Sequence, residues 1–315
     1  DSASEAFRKG LRLGDKVLGW DGTPIHQAIE EKAVHWGIHP TNRVFRGILQ
    51  DHFMTRGKAE SSVKLFYETA TGNAKGIRVS FASTMLDLTP NILEIPYHTI
   101  KSSSFTTRES LGVWRIEEFS PQLEREFFSL VIDKLQNLKG LVIDLRQNSG
   151  GQDVIAVGLA QYFLTEEREY EETIVRDISK GSWLNIGHLH AVPIAESAFH
   201  KPVILLIGPL CNGVGEGFAR IMQQEEQIQA MGMWSTAGSF SYPGGSFKLP
   251  GKFELHYPIG MSLDEFGSIL IESTGEYGGG VFPDIHIPYD ENSLVRINAG
   301  EDILLDEALA HLRRF

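Results

Sequence analysis

The sequence predicts an α/β protein built on a mixed, largely parallel sheet, and three observations carry that reading. Two short uninterrupted apolar runs, GLVIDLR (140–146) and PVILLIGP (202–209), lead through glycine-bearing turns into the helical segments DVIAVGLAQYFL and GEGFARIMQQ. Strands without polar alternation suit a parallel sheet covered on both faces. The order strand, helix, strand, helix implies crossover units. With 315 residues, 42% of them apolar, the chain can bury a sizeable core.

The elements follow in order. GLRLGDKVLGWDGTPI (10–25) reads as a turn, a strand at Lys16–Trp20 and a tight turn at Asp21-Gly22. A helical stretch follows, with Ala28, Ile29, Ala33 and Val34 near helical spacing. SSVKLFYET (61–69) alternates Val63, Leu65 and Tyr67 against polar neighbours, and IRVSFAS (77–83) alternates again. These predict a small sheet with helical cover ending near Ser83. Residues 84–100 read as a connector into a strand at NILEIPYHTI. GVWRIEEFS (112–120) is a strand and turn, and SPQLEREFFSLVIDKLQNL (120–138) an amphipathic helix capped by Ser120 with Pro121 at its first position. Residues 166–200 carry no clear period, and the charged run TEEREYEE reads as a solvated face. DILLDEALAHL (302–312) closes the chain as a helix. The predicted domains are 1–83, 84–290 and 291–315.

A net charge of −12 argues against nucleic acid or an anionic membrane as partner. No apolar run is long enough to span a bilayer, and DSASEAFRKG lacks the apolar core of a signal peptide. A single cysteine, Cys211, excludes an internal disulfide framework and a cysteine-rich zinc site.

Chemistry concentrates in the two turns, QNSGGQ (147–152) and CNGVGEG (211–217). Ligands of parallel sheets bind beyond the carboxyl ends of the strands, where such turns cluster. A helix opening at Val214 would aim N–H groups and its positive dipole end at an oxyanion. The plainer reading is that the glycines merely permit tight backbone turns. The second turn has the layout of a nucleophile elbow, yet it holds glycine where a serine is expected.

LKGLVIDLRQNSGG, KPVILLIGPLCNGVGEGFARIM, MGMWSTAGSF and GGGVFPDIHIP together resemble the C-terminal processing (tail-specific) serine peptidases, in their tricorn-like branch. GLRLGDKVLGWDGTPI resembles part of a PDZ domain. The resemblance implies a ClpP/crotonase-like peptidase domain, 84–290, behind a small PDZ-like domain, 1–83, with 291–315 as a terminal helix packing on the core. It implies a serine endopeptidase that cleaves unfolded or C-terminal protein segments, with peptide or protein substrates, no cofactor, no metal, an extracytoplasmic location and a homo-oligomer as a further expectation.

Carried over residue by residue, the nucleophile position falls on Gly213, so this chain is expected to be inactive, whether the glycine is native or introduced. The lysine base of other members would fall near Gly238. The supporting glutamate of the tricorn-like branch is Glu276 or, less directly, Glu272, and its histidine would lie upstream of Asp1. Gly150 or Gly151 together with Val214 would form the oxyanion hole. The alternative is a non-catalytic pseudopeptidase that binds peptide or a hydrophobic ligand. Cys211 is a second candidate attacker, with a structural role preferred. His188 and His190 alternate as metal ligands can, but no third ligand is evident, so they read as ordinary strand residues. His98 and His256 read the same way, and Trp183 as a packing residue that could also line a groove.

Overall fold

The two apolar runs become neighbouring strands in the middle of a sheet. The structure, a computed structural model, describes residues 4–12, 14–31, 50, 54–58, 60–81, 103–194, 199–240, 243–271 and 279–315. It divides into two units, residues 1–99 with 288–303, and 100–287 with 304–315.

In the first unit, strands β1 (Lys16–Trp20), β2 (Thr23–Pro24), β3 (Ser62–Glu68) and β4 (Ala74–Ser80) form an antiparallel sheet in the order β2-β1-β3-β4. Asp21 (φ 49°) and Gly22 (φ 90°) turn β1 into β2 with two left-handed residues, the signature of an Asp-Gly hairpin turn. The alternation read in β3 is real: Val63, Leu65 and Tyr67 are buried and their neighbours largely exposed. The predicted strand at 91–100 with His98, and the helical positions Ala33 and Val34, lie outside the described residues.

The second unit is built on six strands: β5 (Ser103–Arg108), β6 (Leu111–Ile116), β7 (Gly140–Asp144), β10 (Val203–Leu206), β11 (Ile228–Gly232) and β15 (Ile285–His286). Their order is β15-β11-β10-β7-β6-β5, parallel throughout except for β5 at the edge. Every residue of β7 and β10 is buried, as their unbroken apolar sequence demands. Strand period assigns the faces. Leu141, Ile143 and Leu205 join Trp114, Phe119 and Phe218 in the larger core, while Val142, Ile204 and Leu206 pack with Leu305, Leu309 and Leu312 of the last helix, Ile303–Leu312.

The helix predicted over 120–138 starts as expected, with Ser120 Oγ accepting from the Leu123 N–H and Pro121 at the first position. It then departs from prediction, because Phe127–Val131 forms a π-helical turn between α-helical segments Pro121–Glu126 and Ile132–Leu135. The buried residues Leu123, Phe127, Val131 and Leu135 repeat every fourth position. In a straight α-helix that repeat drifts about 40° per step, so a wider turn returns the stripe to the core. Phe127 stacks on Trp114 at 5.4 Å there.

A further correction concerns 166–200. Only the first three residues of the charged run, Thr165, Glu166 and Glu167, are exposed; from Arg168 on it is β8 (Arg168–Asp177), which pairs with β9 (Ser182–Ala191) and with β14 (Gly260–Leu263). Tyr170 and Glu171 within the run are buried. A separate hairpin pairs β12 (Pro243–Lys248) with β13 (Glu254–Pro258). No helix among the described residues is long and apolar enough to cross a membrane.

Candidate active site

Parallel pairing of β7 with β10 sets Asp144 opposite Leu206, so the two glycine turns leave the same end of the sheet side by side. Asp144 is buried against Arg146 Nη2 at 2.8 Å and Arg115 Nε at 3.1 Å. Burial acts to raise its carboxyl, but the charges of both arginines and the Arg146 hydrogen bonds outweigh it and hold the group below its ordinary value.

The first turn is organised by Asn148, whose side chain is fully buried. Its Nδ2 donates to the Ile116 carbonyl (3.0 Å) and its Oδ1 accepts from the Gly150 N–H (2.9 Å). Gly150 (φ 95°) and Gly151 (φ 132°) both hold conformations that L side chains rarely adopt. A Cβ at Gly151 would overlap the main chain of Phe119.

The second turn ends at Gly213 (φ 53°, ψ −124°), from which the helix Val214–Met222 starts. The Asn212 N–H donates to the Asn148 carbonyl at 3.0 Å, tying the two turns together. A Cβ built on Gly150 would lie 3.5 Å from the Val214 nitrogen, and one on Gly213 would meet nothing closer than Gly150 Cα at 3.8 Å. A side chain at 213 therefore has room against the other turn. Gly215 and Gly217 have none, since a Cβ there would overlap the Asn148 amide and the Tyr170 hydroxyl respectively.

The turn is locked from below by Glu216, which is fully buried. Its Oε2 accepts from the Gly213 N–H (3.1 Å), the Ser239 N–H (2.8 Å) and Ser239 Oγ (3.1 Å), and its Oε1 from Thr236 Oγ1 and the Gly238 N–H, both at 2.6 Å. Thr236 Oγ1 accepts from the Val281 N–H at 2.7 Å, so its own proton points at the carboxylate. Burial raises the Glu216 carboxyl above its ordinary value, against the pull of the Thr236, Ser239 and Gly238 donors. Four distant segments thus meet at one turn: 147–152, 211–216, 235–239 and 279–281.

Gly150, Gly151, Gly213 and Val214 are brought together here, while Glu272 and Glu276 lie outside the described residues. Among the described residues, no hydrogen bond uses the N–H of Gly151 or Val214, whereas that of Gly150 is engaged by Asn148. Val214 opens the helix, where an unpaired N–H and the positive dipole end favour negative charge. Cys211 is fully buried, and burial, reinforced by the nearby Glu216 and Asp144 charges, pushes its thiol well up. It has no thiolate to offer at neutral pH. His188 and His190 sit on β9 and His256 on β13, all exposed. Trp183 is half exposed, 5.4 Å from the Arg176 guanidinium. Sequence reasoning missed Asn148, Glu216 and Thr236 as the parts that hold the turns. Only Glu216 left a signal, an acid three residues after the turn's cap position.

A profile of peptidase family S41 matches residues 110–287, more than half of the chain. The chain belongs to peptidase family S41. The matched span contains both glycine turns, the Glu216 lock and the 279–284 segment that reaches it. Among solved structures, this S41 chain is similar to mature CPAF complexed with lactacystin, with TM-score 0.64 and 14% identity over 98% of this chain and 79% of that one. A second structure of mature CPAF gives 0.60 and 14% over 90% and 74%. A putative peptidase from Parabacteroides merdae gives 0.52 and 20% over 70% and 68%. At these identities the likeness is one of fold, and it agrees with the mixed, largely parallel sheet predicted from the sequence.

Proposed function

We propose that this S41 chain binds extended peptide segments across the paired turns, and that hydrolysis is silent because the attacking position is Gly213. The observation that carries the reading is the elbow itself. Gly213 holds φ 53°, ψ −124° at the head of a buried helix, has space for a side chain, and is followed by an N–H that finds no partner among the described residues. A peptide carbonyl oxygen set against the Val214 N–H would gain charge-stabilising contact as it becomes an oxyanion. The engaged Gly150 N–H supports Gly151 as the second donor. With serine at 213, its hydroxyl oxygen would bond to the carbonyl carbon and its proton would pass to a base, a histidine supported by Glu276 or Glu272. Residues 1–83 act as a PDZ-like module in the same proposal, supported by their antiparallel sheet, which could take an extended peptide by strand addition.

Binding without turnover, the reading of a non-catalytic relative, is favoured by one further observation: the buried, protonated Cys211 cannot substitute for the missing hydroxyl. The test compares the chain with Gly213→Ser, both extended upstream of Asp1 to carry the expected histidine-bearing segment, using fluorogenic unfolded casein for cleavage and a fluorescein-labelled casein peptide for binding. The expected result is peptide binding by both and cleavage by Gly213→Ser alone. Binding by both with cleavage by neither establishes the non-catalytic reading. A folded Gly213→Ser chain that neither binds nor cleaves overturns the proposal.

A further inference from the structure

We infer that β8 and β9 carry a site for a divalent transition metal, zinc by its donor set, formed by Glu169, His188 and His190. One ligand atom from each of these residues lies within 4.8 Å of the others. The site lies on the face of a hairpin and shares no residue with the paired turns.

The register of the hairpin explains how the three meet. His190 pairs with Glu169 and His188 with Glu172, while Leu189 pairs with Glu171, so Tyr170 is the extra residue of a bulge. Strict alternation would turn Glu169 and Glu172 to opposite faces; the bulge restores both to the face of the two histidines. The histidine pair spaced at i, i+2 lacks a third donor in sequence because that donor is about 20 residues away and displaced by one in register.

Two features mark Glu169 as more than a charged surface residue. Its Oε1 is buried and has no hydrogen-bond partner among the described residues, although the residue is a carboxylate. A buried carboxylate oxygen without a donor is costly unless a cation meets it. The nearest imidazole nitrogen, His188 Nδ1, stands at 3.6 Å, too far for a hydrogen bond but suited to a shared ion. Arg220, whose charge Glu169 also feels, directs Nη1 to the Tyr170 carbonyl at 3.2 Å.

Two imidazoles and one carboxylate suit zinc and its neighbours and disfavour magnesium or calcium, which require mostly oxygen. Tetrahedral zinc spaces its ligands about 3.3 Å apart, so the donors must close by about 1.5 Å at most. The exposed rings of His188 and His190 can turn that far. Glu167, 3.3 Å from His190 Nδ1, stands ready as a fourth donor. Bound metal would clip β8 to β9 beside Tyr170, whose hydroxyl donates to Asp153 and packs over Gly217 of the elbow helix.

The experiment titrates the chelator-treated chain with zinc chloride, and separately with magnesium chloride, by calorimetry at about pH 7.5. One equivalent of zinc is expected to bind and raise Tm, with magnesium producing neither effect. Glu169→Gln, His188→Ala and His190→Ala should each weaken zinc at least about tenfold. No zinc-dependent heat or Tm shift in the folded chain would overturn the site, leaving an ion-paired hairpin. So would zinc binding that survives the His188→Ala/His190→Ala double variant, or magnesium binding as tightly as zinc.

Discussion

The turn after β7 and the turn after β10 start from paired positions, run side by side and are held by different chemistry. In the first, a neutral amide, Asn148, satisfies one main-chain donor and one acceptor, and the glycines bend around the Phe119 segment. In the second, a buried carboxylate gathers five hydrogen bonds from its own turn and from 236–239. The first is shaped by steric closeness and the second by charge. A turn that must present one position to a ligand can leave that position open when its restraint comes from beneath, and Gly213 is open whereas Gly151 is not.

Glu216→Ala should break the comparison most severely. It strands several buried donors at about 1–3 kcal/mol each, so urea denaturation is expected to give a loss of about 4 kcal/mol or more, against about 2–3 kcal/mol for Asn148→Ala with one donor and one acceptor stranded. Equal losses would mean that the carboxylate holds no more than the amide does. Next come alanines in the two turns. Gly151→Ala combines a left-handed conformation with overlap of the Phe119 main chain and should cost about 3 kcal/mol or more. Gly213→Ala meets only backbone strain, about 1–3 kcal/mol, and a Tm drop matching that of Gly151→Ala would refute the open position.

The smallest effect is a pH dependence confined to the second turn. Burial raises the folded pKa of Glu216. The stability linked to its protonation is therefore fully present below the unfolded value of about 4.3 and is lost as pH rises through the raised folded value. The stability gap between the unchanged chain and Glu216→Ala should narrow as pH rises above the unfolded carboxyl value, while the gap to Asn148→Ala stays level over the same range. A Glu216→Ala gap that widens with pH would place the folded pKa below the unfolded one.

Much of this was written in local pattern. Unbroken apolar runs marked β7 and β10, alternation marked β3, Ser120-Pro121 marked a helix start, and glycines marked both turns, because each depends on neighbours within a few residues. The structure differed where distant partners decide. The fourfold stripe Leu123, Phe127, Val131, Leu135 needed a π-helical turn to stay on Trp114. The second half of the charged run became a strand because Tyr170 and Glu171 are buried and Glu169, Glu171 and Glu172 pair with His190, Leu189 and His188 of β9.

The sequence by itself determined the order of strands and glycine turns and favoured a structural Cys211 over a reactive one. Hydrophobic period and backbone permissiveness are local properties, and one chain displays them without folding. Only the tertiary structure decided that Asn148 ties the turns together, that Glu216 locks the elbow to Thr236 and Ser239, and that Glu169 joins His188 and His190. Each of those contacts is a hydrogen bond or charge pair between segments far apart in the chain. Its geometry exists only once sheet register has brought them within about 3–5 Å.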